Sequence, residues 1–438
     1  MSGGRTVAFA TLGCRLNQVE AQELRALVER AGYRAVEQGE AAQVYVVSTC
    51  TVTSRADFSD RQAIRRITRA DPDALVVVTG CLAQTDPETL ARMPGVDLVL
   101  GNQEKYRLPD LLDSLVRRDR PEVRVGPIAD ARAVPAAPPQ RAGARSRAFV
   151  KIQDGCQHRC AFCIVPAARG KSRSQDPKVL LEQVGALVEA GYGEVTLTGV
   201  DIGHYGWDLS PRTSLAALVE KISGVRGLHW LRLSSVLPAY FTPELIQAVT
   251  TLPAVAPHLH LPLQSGSDRV LRLMRRPYNT AMYRTLVERL AASIPDLGLG
   301  TDVIVGHPGE EEAEFEATMA LVRGLPLSYL HVFAYSDRLG TEAATMGNRV
   351  APRVIRERSS RLRALGVEKG MAFRRRLLGR PVEVLVLEKR QADGRLTGLT
   401  SNYVEVSFDG PEGLGRRFAT VRLTDTDRRG ARGVLEAA

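Results

Sequence analysis

The chain has 438 residues, a length that predicts two or three domains instead of one core. Hydrophobic residues make up 44% and charged residues 25%, as in soluble globular proteins, and no apolar run approaches the roughly 18 residues that span a bilayer. The 59 lysines and arginines outnumber the 49 acidic residues, for a net charge of +10. This charge permits a polyanionic partner without requiring one, because a codon bias toward arginine has the same effect.

The N-terminus and the cysteine content indicate the compartment. Residues 1–6 lack the basic and apolar regions of a signal peptide, so we expect a cytoplasmic protein. Thiols stay reduced in that compartment. The six cysteines therefore favour metal binding or catalysis over disulfides.

The first 118 residues show four strand-then-helix units. The expected strands are Thr6–Leu12, Gln43–Ser48, Ala74–Thr79 and Val96–Leu100, and the expected helices are Gln18–Ala31, Ala56–Ala70, Asp86–Met93 and Lys105–Arg117. This alternation predicts an α/β domain, 1–118, with a doubly wound parallel sheet. Cys14, Cys50 and Cys81 each follow a successive strand, so their thiols should meet at the carboxyl edge of that sheet.

Residues 119–147, with Pro135, Pro138 and Pro139, have the composition of a linker. Six further strand-helix units follow in 148–378. Their strands are expected near 148–153, 193–199, 228–234, 257–262, 298–304 and 327–333, and their helices near 177–190, 213–223, 242–251, 280–293, 310–323 and 353–377. Six units are fewer than the eight of a closed barrel, which predicts an open, partial β/α barrel.

The pattern changes again after Gly379. Short alternating strands are expected at Val382–Glu388, Arg395–Thr400, Tyr403–Phe408 and Arg416–Leu423, with Asp-Gly turns at 393–394 and 409–410. Residues 379–438 should form a small antiparallel barrel, a shape that commonly presents a strand face to oligonucleotides.

Three more cysteines lie close together in DGCQHRCAFC, residues 154–163, directly after the first strand of the partial barrel. Cys156, Cys160 and Cys163 would leave one iron of a cubane cluster without a protein ligand. A tetrahedral zinc site, with His158 as its fourth ligand, is the alternative. Two sets of three cysteines imply two iron-sulfur clusters, each with one open position.

The loop resembles the signature of radical S-adenosylmethionine (radical SAM) enzymes. In that family the iron without a protein ligand chelates SAM. Phe162 occupies the position of the family residue whose backbone and ring lie against the adenine of SAM. The resemblance narrows to the methylthiotransferases, and it covers nearly the whole chain. The stretches that carry it are TLGCRLNQ at 11–18, STCTVT at 48–53, TGCLAQ at 79–84, LHLPLQSGS at 259–267, DVIVG at 302–306 with PGE at 308–310, Tyr335-Ser336 with Gly340-Thr341, and TSNYV at 400–404.

This resemblance implies metal ligands, cofactors and an RNA-binding domain. Cys156, Cys160 and Cys163 would hold the cluster that binds SAM, Cys14, Cys50 and Cys81 an auxiliary 4Fe-4S cluster, and the tail would be a TRAM domain. Polar residues at strand ends are further candidates for SAM binding: Asp201, Ser234, Ser235 and Gln264. Each of them has the alternative of being a helix cap or a hydrogen-bonding group in a loop.

Basic clusters are candidates for phosphate contacts. They are Arg169, Lys171 and Arg173 beside the cysteine loop, and Arg374, Arg375 and Arg376 before the last domain. Tyr403 is a candidate platform for stacking a base of the anticodon stem-loop.

Among the methylthiotransferases, the residues of these motifs most resemble those of the enzyme that methylthiolates carbon 2 of N6-threonylcarbamoyladenosine in tRNA. That enzyme uses two SAM per turnover. That resemblance also implies a sulfur donor and an electron donor such as flavodoxin or ferredoxin, and no membrane. The alternatives are methylthiolation of N6-isopentenyladenosine or of a ribosomal-protein aspartate, and, from another class, a noncatalytic metal-containing RNA-binding protein.

Overall fold

The computed structural model describes residues 5–37, 39–135 and 146–437, so part of the expected linker, including Pro138 and Pro139, lies outside the described residues. The chain divides into two compact units. The first contains Met1–Arg141, Gln153–Gln175 and Ser336–Ala344, and the second contains Ala142–Ile152, Asp176–Tyr335 and Thr345–Ala438. The first unit therefore includes the cysteine loop and residues 336–344, which were expected to belong to the partial barrel.

The secondary structure alternates strands and helices before the C-terminal strands. The strands are β1 (Thr6–Thr11), β2 (Arg34–Val36), β3 (Val44–Thr49), β4 (Leu75–Gly80), β5 (Leu98–Leu100), β6 (Glu122–Arg124), β7 (Ala148–Lys151), β8 (Gln153–Asp154), β9 (Arg173–Ser174), β10 (Glu194–Thr198), β11 (Trp230–Leu233), β12 (His258–His260), β13 (Gly298–Val305), β14 (Tyr329–Ala334), β15 (Pro381–Val386), β16 (Leu396–Thr400), β17 (Glu405–Phe408), β18 (Phe418–Thr426) and β19 (Ala431–Ala437). The α-helices are α1 (Arg15–Arg30), α2 (Ser54–Ala70), α3 (Cys81–Thr85), α4 (Pro87–Ala91), α5 (Leu108–Leu112), α6 (Val165–Arg169), α7 (Pro177–Glu189), α8 (Leu215–Ser223), α9 (Pro243–Thr251), α10 (Asp268–Leu273), α11 (Thr280–Ser293), α12 (Glu312–Gly324) and α13 (Pro352–Arg375).

A six-stranded sheet forms the centre of the first unit, in the order β2-β1-β3-β4-β5-β6. Every neighbouring pair is parallel. Adjacent residues of β3 face opposite sides, because Val46 packs in a core with Leu108 and Val47 packs in a separate core with Ile64. Apolar layers thus cover both faces, and the predicted doubly wound α/β domain is confirmed.

The two outer strands, β2 and β6, are absent from the expected elements. Each has only three residues, which are Arg-Ala-Val in β2 and Glu-Val-Arg in β6. Polar residues and short length are usual at sheet edges, and they remove the apolar run by which a strand is recognised. Strand β6 also shows that the expected linker contributes to the sheet.

The second unit contains the six strands expected for the partial barrel. They form two parallel three-stranded sheets, β11-β10-β7 and β12-β13-β14, which are joined by a bridge between Leu231 and Val255. One large apolar core fills the space between these strands and the helices that follow them. The prediction of an open (β/α)6 barrel is therefore confirmed.

The last five strands close into a barrel in the order β15-β16-β17-β19-β18. Strand β19 was not expected, and its pairing with β17 is parallel, which departs from the antiparallel pattern of the rest. The buried Arg232 of β11 pairs with Glu194 at 2.9 Å and donates to the carbonyl of Ser401 at 2.8 Å. This arginine therefore connects the closed barrel to the partial barrel.

None of the helices in the described residues combines the length with the hydropathy that a bilayer-crossing segment requires.

Candidate iron-sulfur and cofactor site

Cys14, Cys50 and Cys81 follow β1, β3 and β4, which are adjacent strands in the sheet. Cys14 is the N-cap residue of α1, and Cys81 is the first residue of α3. Because parallel strands end at the same edge, this order brings the three thiols to one place, next to the point where the sheet order reverses. The three cysteines thus follow one edge of the sheet, and their binding of a common cluster stays a prediction.

The loops that carry these cysteines are fixed by short backbone contacts. Gly80, which precedes Cys81, has φ +99°, and a Cβ there would lie 2.4 Å from the carbonyl oxygen of Thr49. Asn17 donates from Nδ2 to the carbonyls of Leu12 at 2.8 Å and Thr49 at 2.9 Å. The close approach at Gly80 and the side-chain amide of Asn17 therefore hold the ends of β1, β3 and β4 together.

The two buried thiols are unfavourable as free anions. Burial, together with smaller contributions from the neighbouring Cys81 and Cys14, raises the pKa of Cys50 to about 12. Burial also raises the pKa of Cys81, while Arg169 opposes this shift. Thiolates in this setting need a cationic partner, so the donor set fits an iron-sulfur cluster that stabilises all three sulfurs.

The loop with Cys156, Cys160 and Cys163 lies between β8 and α6. Gln153 donates from Nε2 to the carbonyl of Gly155 at 2.6 Å and to Ser172 Oγ at 2.8 Å. Gly155 has φ +75°, and a Cβ there would lie 2.0 Å from the carbonyl oxygen of Lys171. These contacts join the two ends of the loop, and its three cysteines are partly exposed. Soft thiolates at an accessible loop fit a cluster with an open iron.

Arg169 lies between the two sets of cysteines. Its Nε donates to Cys81 Sγ at 3.3 Å, and its Nη1 pairs with Glu20 at 2.8 Å and Asp154 at 3.2 Å. The side chain is only 3% exposed. Lys105 adds a second buried cation, 2.7 Å from Glu20. These charges compensate one another, as buried ions require.

The segment 336–344 contacts both cysteine loops within the first unit. Arg338 donates to Asp57 at 2.7 Å and to Thr51, the residue after Cys50. The amide of Ala343 donates to the carbonyl of Ala161 at 2.7 Å, next to Cys160. The segment therefore holds the loop after Cys50 and the loop that carries Cys160.

The polar candidates for SAM binding in the second unit occupy strand ends as expected. Asp201 is 5% exposed and accepts from the hydroxyl of Tyr240 at 3.2 Å. Ser234 lies just after β11, where its amide donates to the carbonyl of Leu197. Ser235 lies 2.6 Å from Nδ1 of His260.

The other two candidates for SAM binding are Gln264, which has an unusual backbone conformation, and Phe162, which lies in the first unit. Gln264 has φ +69°, an uncommon conformation for a residue with a side chain, and its amide donates to the carbonyl of Asp302. Phe162 belongs to the cysteine loop in the first unit and is partly buried. Contact of these residues with SAM stays a prediction.

Two of the expected RNA contacts need correction. Arg169 and Arg173 are 2% and 3% exposed, so the structure does not offer their guanidinium groups to phosphate. Tyr403 is partly buried and stacks on His258 with ring centroids 4.4 Å apart, with Arg232 over the same ring, and its contact with RNA stays a prediction. The side chains of these residues are engaged by buried carboxylates, carbonyls and rings that sequence spacing does not reveal.

The other basic candidates differ in exposure. Lys171, Arg375 and Arg376 are exposed. Arg374 is partly buried and donates to Thr426 at 2.9 Å. A phosphate contact thus stays a prediction for the three exposed residues, while Arg374 has a structural role as well.

Sequence reasoning missed Glu20, Asn17 and Lys105, which bind one another or Arg169. The stretch TLGCRLNQ contains Asn17, so that motif was the available signal. Glu20 and Lys105 lie on different elements, and only the tertiary fold brings them to Arg169.

Known families match the two segments that carry the cysteines. Residues 6–101 match a family described as "Uncharacterized protein family UPF0004", and residues 150–322 match the radical SAM superfamily. A solved radical S-adenosylmethionine methyltransferase, TsrM from Kitasatospora setae, has a similar fold, with a TM-score of 0.59 and 14% identity over 78% of this chain and 77% of that one. The partial barrel is thus a radical SAM fold.

Curated relatives match almost the whole chain. "Threonylcarbamoyladenosine tRNA methylthiotransferase MtaB" of Bacillus subtilis is 37% identical over 95% of this chain and 93% of its own length. "tRNA-2-methylthio-N(6)-dimethylallyladenosine synthase" of a Nocardioides species is 38% identical over 96% of this chain and 86% of its own length. The chain belongs to the radical SAM methylthiotransferase family. It is therefore an enzyme whose family uses SAM and a 4Fe-4S cluster.

Proposed function

We propose that this enzyme methylthiolates carbon 2 of N6-threonylcarbamoyladenosine beside the anticodon of tRNA, with two 4Fe-4S clusters and two SAM per turnover. The observation that supports two clusters is the second set of cysteines, brought together after β1, β3 and β4. Two relatives named as threonylcarbamoyladenosine tRNA methylthiotransferases, at 37% and 38% identity, support the substrate.

The cofactors, when bound, supply a 5′-deoxyadenosyl radical from one SAM and a sulfur methylated by the other. The chain itself has to hold and shield them. Cys156, Cys160 and Cys163 would bind the cluster that takes SAM, and the dispersed cysteines would bind the auxiliary cluster. The buried Arg169 would offset the negative charge at the buried Cys81.

The proposed partners follow from this reaction. Anticodon-loop RNA would bind through exposed cations, for which Lys171, Arg375 and Arg376 are candidates. A low-potential electron donor, such as flavodoxin or ferredoxin, would reduce the cluster that binds SAM. A sulfur donor would restore the auxiliary site after each turnover.

Metal analysis after anoxic reconstitution tests the two clusters. Two cubanes give about eight irons per chain. Replacement of Cys14, Cys50 and Cys81 together by Ala should reduce this to about four, and replacement of the three loop cysteines should do the same. Stoichiometric zinc with no cleavage of SAM would contradict the proposal.

Nucleoside mass spectrometry tests the substrate. In tRNA from a strain that lacks this gene, we expect loss of the 2-methylthio group from N6-threonylcarbamoyladenosine and its return on complementation. The second candidate substrate is N6-dimethylallyladenosine, because a relative of that name is 38% identical. Loss of methylthio groups from that nucleoside alone would replace the first proposal with the second.

A further inference from the structure

A cluster of two histidines and an aspartate lies inside the partial barrel, within the second unit. His260, Asp302 and His331 come from the neighbouring strands β12, β13 and β14. Asp302 pairs with His331 in register, and His260 pairs with Gly300, two residues before Asp302. Since alternate residues of a strand share a face, all three side chains project from the same side of this sheet.

The donor atoms of the three side chains converge. His260 Nε2 and His331 Nδ1 each lie 3.1 Å from Asp302 Oδ1, and one ligating atom from each residue lies within 4.8 Å of the others. Two ligands bound about 2.1 Å from one metal ion are about 3.0–3.4 Å apart, for right-angled to tetrahedral geometry. The two separations from Asp302 match that range, and the two histidine nitrogens lie within 4.8 Å of each other.

The orientation of His260 is the second observation. The residue is 8% exposed, and within the described chain its Nε2 has no partner with hydrogen-bond geometry, although Asp302 is near. Its Nδ1 lies 2.6 Å from the hydroxyl of Ser235. If Nδ1 donates to that hydroxyl, the lone pair of Nε2 faces a carboxylate oxygen. Two acceptors in contact are stabilised by a cation between them.

We infer that His260, Asp302 and His331 form a binding site for a divalent first-row transition metal ion, separate from the cysteine sites. Two imidazoles and one carboxylate are the donor set that such ions take with further positions open. The side chain of His331 is 55% exposed, so an added ligand has access. Ser235 would orient His260 through Nδ1, as outer-shell groups commonly do for metal-bound histidines.

The test uses the full-length chain with its iron-sulfur sites loaded, so that the cysteines are occupied. The protein is equilibrated anoxically with buffered Zn²⁺, and zinc and iron are both counted after gel filtration. We expect one zinc per chain in addition to the iron. X-ray absorption at the zinc edge should show nitrogen and oxygen neighbours at about 2.0–2.1 Å and no sulfur at about 2.3 Å.

Three variants and one control assign the zinc to these residues. Asp302→Asn and His331→Ala should each lose the bound zinc with iron unchanged, and Ser235→Ala should weaken binding by about 10–100-fold. His331 is half exposed, so its replacement leaves folding intact even if Asp302→Asn does not fold. The control is His229→Ala, because His229 pairs with Glu383 elsewhere in the second unit.

Three results would overturn the inference. They are the absence of stoichiometric zinc from the wild-type protein, equal zinc in wild type and the His331→Ala variant, and a zinc-sulfur shell in the absorption spectrum.

Discussion

Arg169 donates from Nε to Cys81 Sγ over 3.3 Å, and its Nη1 and Nη2 are held by Glu20 at 2.8 Å and 3.0 Å. The same guanidinium reaches Asp154, which lies two residues before Cys156. One buried cation therefore contacts Cys81 and, through Asp154, anchors the loop that carries Cys156. Its charge and hydrogen bond favour a sulfur that carries more negative charge, which is the state of a reduced cluster.

Replacing Arg169 by Gln should lower the reduction potential of the proposed auxiliary cluster. A hydrogen bond to a charged group contributes about 1.5–3 kcal/mol, so for a one-electron couple we expect a shift of roughly 65–130 mV to more negative potential. The measurement is a redox titration followed by electron paramagnetic resonance. It is made in protein whose loop cysteines are all replaced by Ala, so that only the auxiliary cluster contributes.

The control for this titration is Arg25→Gln, on the same unit. Arg25 is partly exposed and pairs with Glu29 at 3.1 Å and with Glu37 at 2.9 Å. The reduction potential of the Arg25→Gln variant should equal that of the parent protein, in which only the loop cysteines are replaced. An unchanged potential in Arg169→Gln protein that retains its iron would show that Arg169 only stabilises the fold.

Gly155→Ala should disrupt the cysteine loop selectively. The residue has φ +75°, and the added Cβ would meet the Lys171 carbonyl at 2.0 Å. Left-handed backbone costs a residue with a side chain about 1–2 kcal/mol, and a backbone clash adds to this. We expect about four irons to be lost per chain and SAM cleavage to stop.

A second glycine provides the matched comparison. Gly185 lies within α7, and a Cβ there meets no atom within 4 Å. Gly185→Ala should keep all the iron and raise stability by about 0.5–1 kcal/mol. If both variants keep full iron and cleave SAM equally, the close approach at Gly155 does not control the loop.

The sequence predicted the main architecture because its long elements have clear periodicity. Cys14, Cys50 and Cys81 could be placed at one edge of the sheet from strand order alone, since parallel strands end at one edge. Arg169 could not be placed, because a basic residue near a cysteine loop suits a phosphate contact as well as a buried ion pair. Only the fold brings Glu20 and Lys105 to it.

Tyr403 shows the same limit for aromatic residues. Tyr403, the candidate stacking platform for RNA, has a φ of +71°, and its partly buried ring stacks on His258. Backbone conformations of this kind are set by the surrounding turn and have a weak sequence signal outside glycine. The strand pattern was therefore predictable, while the direction of this side chain was not.

Arg375→Ala with Arg376→Ala should weaken RNA binding in a salt-dependent way. Both side chains are exposed at the end of α13. Each phosphate contact that is lost should reduce the slope of log affinity against log salt by about 0.7–0.9. Fluorescence anisotropy with a labelled anticodon stem-loop at several salt concentrations measures this slope. An unchanged slope in the double variant would exclude these two residues as phosphate contacts.

Arg232→Met should strongly destabilise the second unit. Arg232 and Glu194 are both fully buried, 2.9 Å apart, and Arg232 also holds the carbonyl of Ser401. Removing one member leaves Glu194 buried without its main counter-ion, which costs about 3–5 kcal/mol. Anoxic thermal unfolding should show a large fall in the unfolding midpoint, and the double variant Arg232→Met with Glu194→Leu should recover most of the lost stability.

The comparison is Arg284→Ala in the exposed pair with Glu288, for which we expect a change in the free energy of unfolding below about 1 kcal/mol. Equal effects of Arg232→Met and Arg284→Ala would mean that the buried pair does not hold the C-terminal barrel against β11.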